Sequence, residues 1–222
     1  MPHWLDVAPE RIEGWLAEFA ERHGATVTAT DTSRAIVTVQ AADGAVAECH
    51  VPFPPLPAGT GGSGADLAAH AAAARTVGVL LVRLGGYAAG VFAGAPPRLV
   101  ASKVGSRLVH GRSAAGGQSQ QRFARRREKQ AREALTAAAD CAAAVFGSAG
   151  GRPDAVVLGG DRRAIAALRD DPRLRPYFDL AVDRFLTVPD PRLAVLQGTP
   201  RQFRAIQIRL TDSGAAAGGI TR

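Results

Sequence analysis

From Leu67 through Arg127 the chain contains neither aspartate nor glutamate, sixty-one residues without an acid in a sequence that has twenty elsewhere. Two-metal phosphodiester cleavage needs carboxylates on central strands to hold its ions, and glycoside hydrolysis needs a carboxylate pair, so neither chemistry can be built from this segment. Lysine is almost missing as well, two against twenty-five arginines. Codon bias replaces Lys by Arg throughout a chain, so arginine abundance alone carries no functional meaning. Cys49 and Cys141 are the only cysteines; they are too few for a disulfide framework, lack metal-ligand spacing, and read as structural residues in a reducing compartment. Aromatic residues are sparse at 5%, and Trp4 and Trp15 read as core or staple residues. No His/Cys cluster has zinc spacing and no phosphate-binding G-x-x-x-x-G-K-[ST] loop occurs, so neither metal nor cofactor is expected. Asp6 and Glu10 interrupt the N-terminus before any apolar signal segment. The uncharged stretches 49–65 and 84–97 are short and broken by Gly and Pro. A soluble, cytoplasmic chain with no membrane partner is expected.

What is present is charge, and its placement. A chain of 222 residues and 23.0 kDa can bury a core as one domain, or one domain with a small appendage. Its net charge of +7 and pI near 10.6 point to a polyanionic partner. Between Lys103 and Arg132 stand nine cations (Lys103, Arg107, Arg112, Arg122, Arg125, Arg126, Arg127, Lys129, Arg132) and one acid, Glu128, for +8, while all other residues sum to −1. Codon bias would scatter arginine; this concentrates the surplus in about one-seventh of the chain.

Pro9 to His23 places Ile12, Trp15, Leu16 and Phe19 at helical spacing before Gly24. From Ala25 to Pro52, partial alternation (Val27, Ala29; Ala35, Val37, Val39; Cys49, Val51) predicts two or three short strands. Pro54 to Gly64 reads as a loop, followed by an alanine-rich helix over 67–74 with Asp66 as N-cap. Thr76 to Val82 predicts a buried strand, Gly85-Gly86 a hairpin turn, Tyr87 to Ala93 its return, and Leu99 to Val104 a third strand. After a long helix come a strand at 154–158, a helix at 162–169, a strand at 183–188, and a helix with a short strand over 191–210; Asp154 and Asp161 read as residues that cap or end elements. The fold class expected is α/β, a mixed sheet with flanking helices. The expected division is an N-terminal αββ unit with linker over 1–65, a domain over 66–211, and a disordered tail over 212–222.

At 100° per residue, Arg125, Arg126, Lys129 and Arg132 fall in one arc of about 120°, and Phe123, Ala131, Ala134, Leu135, Ala138 and Val145 lie roughly opposite, facing the sheet. Arg127 intrudes on the apolar side, so the first turns are expected to project beyond the body. The helix start adds free N–H groups and a positive dipole end. Before it lies Gly116-Gly117-Gln118-Ser119, whose glycines allow close main-chain approach to a substrate.

Gly-Gly-Gln-Ser-x-x-Arg-Phe-Ala-Arg-x-Arg, here Gly116 to Arg127, resembles the catalytic loop and following helix of eukaryotic and archaeal class I release factors. With Val104-Gly105-Ser106-Arg107 and Arg112, it is most similar to the Vms-like release factor family in its actinobacterial form. The meander before the motif and the elements after it extend the resemblance to about 140 residues. It implies a ribonuclease H-like release-factor middle domain without nuclease carboxylates, and peptidyl-tRNA hydrolysis on the large ribosomal subunit. It also implies catalytic Gly116, Gly117 and Gln118, and ribosomal RNA and peptidyl-tRNA as partners of a monomer. Lys103, Arg107, Arg112, Ser119, Arg122, Arg125, Arg126, Arg127 and Lys129 are the expected RNA contacts. Nothing of the size needed to read a stop codon flanks the motif, which favours rescue of stalled chains over termination. Two other readings stay open: a ribosome-binding module without hydrolysis, and a nuclease acting on the tRNA 3′ end.

Overall fold

The computed structural model describes residues 3–83, 85–106, 119–148 and 150–211. The chain divides into two compact units, Met1–Ala73 with Arg204–Arg222, and Ala74–Phe203.

The first unit is built on strands β1 (His3–Val7), β2 (Thr26–Asp31), β3 (Ile36–Ala41), β4 (Val46–His50) and β10 (Ile206–Thr211). They form one antiparallel sheet in the order β1-β10-β4-β3-β2. Alternation drives one face inward: Val37, Val39, Ala47, Cys49, Ile206 and Ile208 are at most 5% exposed. Helix α1 (Ile12–His23) closes that core with Ile12 and Phe19, following a 3-10 turn at Pro9–Arg11 and ending where the Gly24 N–H reaches the Ala20 carbonyl. Helix α2 (Gly64–Ala72) adds Leu67 and Ala71. His70 on α2 is buried, and its Nε2–H donates to the carbonyls of Pro52 (3.1 Å) and Phe53 (3.0 Å), tying the proline-rich loop to the helix.

Helix α1 and strands β2 to β4 occupy the segments where a helix and strands were expected, but β1 and β10 complete the sheet from opposite ends of the chain. The second unit therefore stops before β10, rather than running to 211. The cap of α2 also differs from the expected Asp66. Ser63 is the N-cap, its hydroxyl accepting from the Asp66 N–H (3.1 Å) while the Asp66 carboxylate accepts from the Ser63 N–H (3.2 Å). This reciprocal pair satisfies two donors that the helix start leaves open. Ser63→Ala will lower unfolding stability by about 1 kcal/mol, measurable by chemical denaturation; an unchanged midpoint would remove the cap as a contributor.

In the second unit β5 (Val77–Arg83), β6 (Gly86–Ala93) and β7 (Arg98–Ser106) form an antiparallel meander, and β8 (Ala155–Gly160) and β9 (Ala181–Leu186) extend it in parallel on the β5 side. The order β7-β6-β5-β8-β9 is a mixed sheet, which with its flanking helices is the α/β class that the sequence implied. Gly86 pairs with Arg83, so it opens β6 instead of sitting in the turn. Val77 to Val82 are buried throughout, as a central strand covered on both faces requires. Helix α3 (Ser119–Ser148) packs on β6 and β7 over one face, sharing a core with Ala89 and Val91. Helix α6 (Leu193–Arg204) brings Leu196 and Phe203 against the alternate residues of β6; the Phe92 and Phe203 rings meet edge-on at 5.7 Å. Two short helices, α4 (Arg162–Leu168) and α5 (Arg175–Phe178), follow β8, and α5 had no counterpart in the sequence reading. No helix among the described residues is long and apolar enough to cross a membrane.

Candidate nucleic-acid interface

Strand β7 lies at one edge of the second sheet and ends at Ser106; α3 starts at Ser119. Gly116, Gly117, Gln118, Arg107 and Arg112 fall between them, outside the described residues, as do the side chains of Ser119, Arg122, Arg126 and Arg127. Lys103, Arg125 and Lys129 are described, and all three are exposed.

Helix α3 has 30 residues, about 45 Å of rise. Its second half is anchored. Among its described side chains Ala134 is the first that is buried, followed by Ala138, Cys141, Ala142, Val145 and Phe146. Arg125, Glu128, Lys129, Ala131, Arg132 and Glu133, which precede Ala134, are all exposed. Ala131, expected on the packed face, is therefore in solvent. Its angular position is suitable, but nothing among the described residues covers it. Taking Arg125 as zero, Lys129 and Arg132 lie within about 60° of arc, and Ala134, Ala138, Cys141 and Val145 centre on the opposite side. A cationic ridge thus stands away from the face that anchors it.

Little competes for these cations. Lys129 Nζ and Glu133 Oε1 are 3.9 Å apart on consecutive turns, with 75% and 56% of their side-chain areas exposed, a pair worth a few tenths of a kcal/mol. Among the described residues, neither Arg125 nor Arg132 is within ion-pairing distance of a carboxylate. Lys103 projects from β7, and its carbonyl accepts from the Cys141 thiol at 3.4 Å, so strand and helix meet beside it. Burial pushes the Cys141 thiol above its ordinary pKa. That makes it a packing group rather than a nucleophile.

One positioning contact had no signal in the sequence. Tyr87 on β6 pairs with Gly105 on β7, and a Cβ on Gly105 would lie 2.5–2.7 Å from the Tyr87 ring and hydroxyl. The ring lies directly on the strand backbone one residue before Ser106, where β7 ends. Glycine in Val104-Gly105-Ser106 is required by that close approach.

The acids next to the central strands are occupied structurally. Asp154 accepts from the Thr76 N–H at 2.7 Å, tying β8 to the start of β5. Asp161 caps α4 by accepting from the N–H groups of Arg163 and Ala164. Among the described residues no group of three His, Cys, Asp or Glu could hold a metal ion. Trp15 stacks on Phe19 at 5.6 Å, as a core residue should, but Trp4 is 52% exposed on edge strand β1.

The family model described as Actinobacteria/chloroflexi VLRF1 release factor matches residues 75–209, more than half of the chain, from just before β5 into β10. No curated protein matches the sequence. Among solved structures, the crystal structure of an archaeal translation termination factor, aRF1, is similar with a TM-score of 0.37 and 11% identity. That likeness covers 90% of this chain and 66% of the archaeal one.

Proposed function

We propose that this chain, which belongs to the Actinobacteria/chloroflexi VLRF1 release factor family, hydrolyses the ester of peptidyl-tRNA on the large ribosomal subunit and so frees stalled nascent chains in the cytoplasm. The observation that carries this reading is a position. Gly116-Gly117-Gln118 falls within the family match, between an edge strand and a helix whose exposed face before Ala134 is cationic. Arg125 and Lys129 on the ridge, and Lys103 on β7, hold phosphates of ribosomal or transfer RNA, and the same role is assigned from the sequence to Arg107, Arg112, Ser119, Arg122, Arg126 and Arg127.

The chemistry requires little from the chain. A water oxygen adds to the ester carbonyl carbon, and the Gln118 backbone N–H stabilises the resulting oxyanion, an effect of about 3 kcal/mol for one donor. The bond to the ribose oxygen then breaks and that oxygen takes a proton. The Gln118 side-chain amide admits water and excludes larger nucleophiles, and Gly116 and Gly117 supply the backbone conformation. The segment 107–118 contains no Asp or Glu and a single histidine, His110, read as a surface residue; proton transfer is assigned to the terminal ribose hydroxyl and the RNA around it.

The test is the identity of the products formed from labelled peptidyl-tRNA on purified large subunits. Free peptide with a tRNA whose 3′ end is intact supports ester hydrolysis. A peptide still attached to a nucleotide fragment identifies a nuclease and overturns it.

A further inference from the structure

The sheet of the first unit is covered on one face only. Its central strands bury Val37, Val39, Ala47, Cys49, Ile206 and Ile208, yet the alternate residues Ile36, Val46, Glu48, His50, Gln207 and Arg209 are only half-buried. An antiparallel sheet with one solvated face ordinarily reads polar on that face. This face does not. Trp4 and Val27, at 52% and 75% exposed, stand on its two edge strands, with Ile36 and Val46 between them.

The register arranges the face in rows. Trp4, Arg209, Glu48, Thr38 and Ala29 lie side by side across the five strands. The Trp4 ring sits 5.1 Å from that of His50, and Arg209 holds both oxygens of Glu48. That guanidinium keeps the Glu48 carboxyl below its ordinary pKa. The next row runs Asp6, Gln207, His50, Ile36, Asp31. Its two ends are carboxylates, four strand spacings or about 19 Å apart.

We propose that this face docks a polypeptide segment bearing Lys or Arg, with Trp4 as the buried anchor and Asp6 and Asp31 meeting its cations. Charge selects the partner. The described residues of this unit carry five arginines, no lysine and nine carboxylates, a net −4, whereas Ala74–Phe203 carries twenty-one cations and ten acids, a net +11. An RNA platform would combine exposed aromatics with surplus cations. Here the aromatics lie among surplus acids, and an exposed Trp with half-buried aliphatics is the composition of a protein-binding centre. The release-factor reading determines only where the partner is sought, among the proteins of the large ribosomal subunit.

The experiment measures equilibrium binding of the full chain to purified vacant large subunits. Without peptidyl-tRNA present, failure of the hydrolase reading leaves this test intact. Trp4→Ala will weaken binding about tenfold with an unchanged melting midpoint. The double variant Asp6→Asn, Asp31→Asn, which keeps the local hydrogen-bond acceptors, will weaken it about threefold. A photoreactive benzoylphenylalanine replacing Trp4 will attach to a Lys/Arg-bearing segment of a ribosomal protein. Unchanged affinity of Trp4→Ala overturns the proposal. So does tighter binding of the double variant, or attachment of the probe to ribosomal RNA.

Discussion

Replacing Arg125, Lys129 and Arg132 together with glutamine will weaken binding to large ribosomal subunits about a hundredfold at roughly 0.1 M salt, and will flatten its salt dependence. Each neutralised phosphate contributes about 0.7 to 0.9 to the slope of log K against log salt, so three lost contacts remove about two to three from it. At roughly 0.1 M salt the same three contacts amount to about two decades of affinity. The size of the effect follows from the geometry. All three side chains are exposed within one narrow arc, and the 3.9 Å pair between Lys129 and Glu133 is too weak to hold its cation back. Glutamine keeps helix propensity and length, so the helix itself is preserved. A salt titration of binding checks both numbers together. A loss of affinity with an unchanged slope would mean that the cations stabilise the chain without touching phosphate.

Phe146→Ala will lower the stability of the second unit by about 3–5 kcal/mol, the usual cost of deleting a buried phenyl ring, and its melting temperature by roughly 10–20 °C. Phe146 is 2% exposed and anchors the far end of α3. Its ring edge comes so close to β5 that a Cβ on Gly78 would lie 3.1 Å from it, and the Tyr177 ring is 4.9 Å away on another side. With glycine on one side and a ring on the other, the site has little means of closing around the space left by alanine. Phe146→Leu, which keeps most of the volume, will recover most of the loss. Calorimetry decides the matter, and a shift of only a degree or two for the alanine variant would show that α3 is not held there.

How much of this was legible in the sequence depended on how local each determinant is. Helix α1 and the meander announced themselves through spacing, because Ile12 and Phe19, or Val77 to Val82, are buried by elements whose period the residues repeat. The sign and placement of charge on α3 were equally local. The pairing of β1 with β10 was not: His3 meets Leu210 and Val7 meets Ile206, partners about two hundred positions apart. The segment His-Trp-Leu-Asp-Val shows only partial alternation, and Trp4, placed in the core on residue type, lies on the uncovered side because its register partner Arg209 does. The cap of α2 is local as well: Ser63-Gly64-Ala65-Asp66 carries the capping-box spacing, in which Asp66 is the N3 partner of the Ser63 cap and not the cap itself. At the candidate site, charge alone singled out Lys103, Arg125 and Lys129, and the structure shows that all three are exposed. The Tyr87 ring on Gly105 could not, since it requires knowing which strands are neighbours and which way their side chains point.

The measurement that bears most directly on hydrolysis is a single-turnover time course of peptide release from purified large subunits carrying labelled peptidyl-tRNA, with the wild-type chain and Gln118→Ala side by side and binding of both recorded. The expected result is release of free peptide from intact tRNA by the wild type, lost in the variant although it binds as tightly. Equal release by both proteins, or none by the wild type despite tight binding, would contradict the hydrolase and leave a chain that occupies the ribosome without acting on the ester.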